Sequence, residues 1–135
     1  MSTLKAANIQ STTTGAPTFK TNSGTEIGQL AKAWVNFNGR NTPSIRDDFN
    51  VNSLTDLGTG KYKITFSNAM TSANYAIAGS SAELGSTGNN DAFFGAGRAN
   101  NYSDLHTTTF CTVTVCGAGG SDSDRDMINA IIFGA

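Results

Sequence analysis

From Lys32 onward, apolar and polar side chains alternate along the chain. In residues 32–37 (KAWVNF), Ala33, Val35 and Phe37 share one face of an extended strand, and Lys32, Trp34 and Asn36 share the other. Asn38 and Gly39 mark a turn. Pro43 precedes a second run, Ile45 to Val51, in which Ile45, Asp47, Phe49 and Val51 fall on one face, with Asp47 as its polar member. Leu54 to Leu57, the turn Gly58, Thr59, Gly60 and the stretch Lys61 to Phe66 then read as a hairpin. Tyr62, Ile64 and Phe66 point inward, and Lys61, Lys63 and Thr65 point to water. The two lysines also oppose edge-to-edge pairing. Further strands are expected at Tyr75 to Gly79, Phe93 to Gly97, Thr107 to Cys116 and Met127 to Phe133, with polar loops at 83–91 and 117–126. About seven strands at this spacing predict an all-β fold, an antiparallel β-sandwich over residues 31–135. Trp34 makes the first strand apolar on both faces, so it is expected to be covered on both sides, by the N-terminal segment or by another subunit.

Residues 1–30 differ. They are rich in Thr, Ser, Gln and Gly, and Leu4, Ile9, Phe19, Ile27 and Leu30 stand isolated among them. Such a segment cannot bury a core of its own. It reads as an extended N-terminal arm, with Leu4 and Ile9 as its docking patch on a partner.

Composition supports this picture and narrows the function. Of 135 residues, only 14% are charged and 38% are hydrophobic, and Thr, Asn, Ser and Gly dominate while Leu, Glu and Lys are scarce. That disfavours helices. Nine basic residues are balanced by ten acidic ones without clustering, so nucleic-acid binding by charge is disfavoured. There is no apolar window long enough for a membrane span, and the first residues show no apolar secretory core.

Several residues invite chemistry. Cys111 and Cys116 lie five apart on one expected strand, on opposite faces and roughly 16 Å apart. A disulfide needs Cα atoms within about 7 Å, so a bond between them would require the strand to break. They read as small buried apolar residues. With one histidine, His106, no zinc site is expected, and His106 reads as a strand-edge residue rather than a triad base. The run Asp122, Ser123, Asp124, Arg125, Asp126 resembles the start of a calcium loop but lacks the closing Glu, and it reads as an acidic turn. Asp47 and Asp48 face opposite ways, and Asp56 is expected to serve the Gly58–Gly60 turn, so neither forms a glycosidase dyad. Phe93, Phe94 and Tyr102, with Arg98 and Asn100, form an aromatic-polar stretch suited to stacking on sugars. Core packing is the competing use of the two phenylalanines.

The words Ala31 to Gly39 (AKAWVNFNG), Ile45 to Phe66 (IRDDFNVNSLTDLGTGKYKITF), Ala69-Met70 and Ala73 to Tyr75 resemble a bacteriophage fibre module. This module is found in tail-fibre and related virion proteins of phages of marine and cyanobacterial hosts. The lead Leu4 to Ser11 is similar to the one that often precedes it. The resemblance covers residues 31–77 and this lead. Asp48 replaces the usual Ser, and lysines flank Tyr62. It implies a virion structural protein without catalytic residues or cofactor, made in the host cytoplasm. It further implies a homotrimer that attaches to another virion protein by its arm and contacts a host-surface glycan. Trp34 is then a candidate trimer-interface residue. Two rival readings are a capsid decoration protein and a glycan-degrading enzyme.

Overall fold

The computed structural model describes residue 9 and residues 19–83, 92–96, 105–117 and 119–134, with backbone only at Ala92, Phe93 and Ala96. The described residues form strands and no helix. The chain divides into two compact units, Met1–Leu30 and Ala31–Ala135. In the first, β1 (Phe19–Lys20) and β2 (Glu26–Gly28) pair antiparallel, so this part of the arm folds back on itself. The Thr21 hydroxyl accepts from the Thr25 amide at 3.1 Å and holds the turn. Ile9, Phe19, Ile27 and Leu30 are exposed.

Among the described residues the second unit holds eight strands: β3 (Ala33–Asn38), β4 (Ser44–Phe49), β5 (Val51–Asp56), β6 (Lys61–Phe66), β7 (Ala76–Ala82), β8 (Ala92–Ala96), β9 (Phe110–Gly117) and β10 (Met127–Phe133). They make two four-stranded antiparallel sheets, ordered β4-β3-β10-β7 and β5-β6-β9-β8. The four central strands supply most of the core. Ala33, Val35 and Phe37 of β3 and Ile128, Ala130 and Ile132 of β10 meet Tyr62, Ile64 and Phe66 of β6 and Cys111, Val113 and Val115 of β9. Period-2 alternation sends every second residue inward, and each large apolar side chain so buried contributes about 1.5–3 kcal/mol. Phe37 meets Tyr62 edge-on, with ring centroids 5.1 Å apart.

Two expected strands are broken. The run Ile45 to Val51 splits at Asn50, whose φ of 58° turns the chain from one sheet to the other. Asparagine tolerates this left-handed conformation. Its amide donates to the carbonyls of Lys32 (3.0 Å) and Asn68 (3.2 Å), and its Oδ1 accepts from the Asn68 amide at 2.8 Å. Phe49 and Val51 therefore do not share a face: Phe49 is exposed and Val51 is buried. Val51 instead opens β5, the first arm of the expected hairpin. Likewise Thr107 to Cys116 is not one strand, because β9 starts at Phe110. The Thr107 hydroxyl accepts from the Phe110 amide at 3.1 Å and closes a turn, which folds His106 back to pair with Cys111. Threonine hydroxyls compete in this way with the strand ladder.

Candidate functional site

The outer face of the β4-β3-β10-β7 sheet is the most distinctive surface of the sandwich. Register places Phe49, Trp34, Ile131 and Ala78 side by side, one from each strand. Beside this apolar row runs a polar one, Asp47, Asn36, Asn129 and Ser80. The Asn36 amide donates to Asn129 Oδ1 at 2.5 Å, and the Asn129 amide donates to Ser80 Oγ at 3.1 Å. Phe133 and Met127 extend apolar surface to either side along β10. Trp34 is half-buried, while Phe49, Ile131, Phe133 and Met127 are exposed. The sequence pointed to Trp34 and to the apolar C-terminal strand, residues 127–133. Met127, Ile131 and Phe133 were signalled by β10, in which both parities are apolar: Ile128, Ala130 and Ile132 point inward, and these three point outward; Phe49 on β4 was not.

The run 122–126 is a brace, and each acidic side chain has its own partner. Asp122 pairs with Lys61 at 3.1 Å. Asp124 accepts from the Gly60 amide at 2.7 Å and from the Tyr62 hydroxyl at 2.9 Å. Asp126 pairs with Arg40 at 3.1 Å. Arg125 is buried and ion-paired with Glu83, which also pairs with Arg40. Gly60 is required here: its φ is +67°, and a Cβ would meet the backbone of Val115 and Ser123. Burial and the adjacent Asp124 push the Tyr62 phenol well above its ordinary range, so it acts as a fixed donor. Among the described residues, no three His, Cys, Asp or Glu side chains gather as metal ligands.

The remaining candidates are dispersed. Asp56 accepts from the Gly58 amide at 2.8 Å, as a turn residue does. Asp48 lies on β4, where its carboxylate accepts from the Val51 amide. Cys111 is a buried free thiol, pushed up to about 12 by burial, and Cys116 is a half-buried one. His106 packs edge-on against Tyr75, and burial lowers its pKa. Of the aromatic-polar stretch, Phe93 and Phe94 lie on β8. The Phe94 ring is half-buried against the core and approaches Gly79 of β7 so closely that a Cβ there would collide with it. Arg98, Asn100 and Tyr102 lie outside the described residues, as does Leu4 of the arm; Ile9 is exposed.

No family model, no curated protein and no solved structure matches the chain. Among the described residues, no helix is long and apolar enough to cross a membrane.

Proposed function

We propose that the chain is a bacteriophage virion structural protein of tail-fibre type. It works as a homotrimer, held to another virion protein by residues 1–30 and presenting the sandwich to the host surface. The observation that carries this reading is the division of labour along the chain. A first unit displays Ile9, Phe19, Ile27 and Leu30, and a second unit folds around a complete core of its own. Exposed apolar residues on a segment with little core call for a partner. The fibre-module words at 31–77 say what kind of assembly that partner belongs to. Host contact falls to Phe93, Arg98, Asn100 and Tyr102, the last three outside the described residues. Phe94, the fifth residue proposed for this contact, is also half-buried against the core. A surface poor in charge and rich in Thr, Asn and Ser offers hydrogen bonds rather than strong fields, which suits a glycan.

The test is localisation and adsorption. Antibody labelling of purified virions by electron microscopy is expected to mark the tail, and virions lacking the protein are expected to lose host adsorption. Label on the head would replace this reading with capsid decoration. Unchanged adsorption would remove the receptor role.

A further inference from the structure

We infer that the outer face of the β4-β3-β10-β7 sheet is a self-association surface whose occupant is a second copy of this chain. This rests on the multi-copy reading above and names the surface that serves it.

Three observations carry it. First, the face keeps apolar side chains in water that the monomer fold does not require there. Phe49 is 53% exposed, Ile131 39%, Phe133 38% and Met127 36%, and Trp34 completes their row. Inner-facing residues of the same strands already build the core.

Second, the charge pattern selects a like partner. The outward positions within β3, β7 and β10 carry no charged side chain; charge stands at the borders, with Lys32 just before β3 and Arg46 and Asp47 on the edge strand β4. Around a symmetry axis, threefold as much as twofold, the residues nearest the axis meet copies of themselves, so a charged centre would face its own sign. A neutral centre with charge at the rim avoids this. An oppositely charged partner, by contrast, would have nothing to pair with.

Third, shape and size fit. Four strands spaced about 4.8 Å apart, each rising about 3.4 Å per residue over seven residues, give a flat footprint of roughly 450 Å². The corrugation added by Trp34, Phe49 and Phe133 raises the accessible area toward the ~800 Å² per partner of a standard interface. A pleated face with ridged rows packs well on another such face at ~10 Å, as the two inner faces of a sandwich do. The row Asn36, Asn129 and Ser80 is hydrogen-bonded within its own sheet, so it enters the contact already largely satisfied.

The experiment is light scattering on a sizing column, with the full chain over a wide concentration series. The variants are Ile131→Lys and Ala78→Lys, with Thr65→Lys on the other sheet as control, each checked by circular dichroism. The wild-type protein and the Thr65→Lys control are expected to run as more than one chain. Ile131→Lys is expected to run as one chain at concentrations at least tenfold above the wild-type midpoint. Ala78→Lys, at an exposed position on an edge strand, repeats the test should Ile131→Lys fail to fold. A folded Ile131→Lys or Ala78→Lys protein that keeps the wild-type mass overturns the surface and leaves self-association standing. A wild-type protein that stays one chain at every concentration overturns both, while the virion label still decides the particle role.

Discussion

The two outer faces of the sandwich share a backbone plan and differ in chemistry. On the β5-β6-β9-β8 sheet, Lys61, Lys63 and Thr65 of β6 lie beside Thr112 and Thr114 of β9. Lys63 lays its ammonium 5.5 Å from the Phe110 ring centroid and keeps its stem on the sheet. On the β4-β3-β10-β7 sheet, the corresponding positions carry Phe49, Trp34, Ile131 and Phe133. The inner faces, in contrast, are alike, with three buried residues from each of four central strands. The outward positions of β6 and β9 are polar, with Lys61, Lys63 and Thr65 half-buried and Thr112 and Thr114 buried, Thr112 against the Leu105 carbonyl, whereas Phe49 and Ile131 stand in water. This exposed apolar row is what the inferred self-association surface rests on.

The comparison is tested most severely from inside. Ile64 and Ile128 are fully buried on β6 and β10. Ile64→Ala and Ile128→Ala are each expected to cost about 2–5 kcal/mol in urea unfolding, because each leaves a cavity in the shared core. Neither should alter the mass of the folded protein. A loss confined to one of the two would show that the sheets do not share the core equally.

A smaller loss is expected at the brace. Tyr62 donates to the Gly39 carbonyl and to Asp124, both at 2.9 Å. Tyr62→Phe keeps the ring against Phe37 but removes the one O–H shared between the Gly39 carbonyl and Asp124, which keeps only the Gly60 amide, at a cost of about 1–3 kcal/mol. Urea midpoints measure it. An unchanged midpoint would mean that the link from β6 to the 122–126 run contributes nothing to stability.

Both the contrast between the faces and its blind spots trace to particular residues. The alternation in 33–37 and 61–66 made the inner faces and the wet lysine face readable, because a strand offers only two sides. Trp34 announced that the other outer face is apolar. The partners of Trp34 were hidden, since register across strands is a tertiary fact: nothing local sets Phe49 or Ile131 beside it. Phe49 was misplaced because Asn50 looks like any polar strand residue until its left-handed φ is seen. The acidic run 122–126 looked like one motif, yet its side chains reach partners as far apart as Lys61, Tyr62 and Glu83.

Next in size come the outer faces themselves. Single substitutions there are expected to change the stability of the isolated chain by no more than about 0.5 kcal/mol. Their signature is dependence on concentration. Association that occurs only in the folded state raises Tm as protein concentration rises. The wild-type protein and Lys63→Thr are expected to show this rise in calorimetry, and Trp34→Lys is expected to lose it. An equal loss from Lys63→Thr would abolish the distinction between the faces.

The smallest effect separates folding from association by pH. His106 pairs with Cys111 of β9 and packs on Tyr75, away from the apolar outer row. Burial lowers its pKa below the ordinary 6.5, against a weaker opposing contribution from the Leu105 backbone. The fold therefore favours neutral imidazole, and below pH 6.5 the unfolded chain binds the proton more readily. Stability from this residue is fully present above pH 6.5 and is lost as pH falls through that value toward the lower folded pKa. The urea midpoint is expected to drop modestly between pH 7.5 and 5.5, a window above the ordinary carboxylate range. His106→Gln should flatten that drop. The mass by light scattering should stay unchanged across the window, since the β3, β7 and β10 side chains of the proposed contact carry no titrating group. A midpoint that falls equally in His106→Gln would assign the pH dependence to another group. A mass that falls with it would place a titrating residue in the contact and count against the neutral face as its centre.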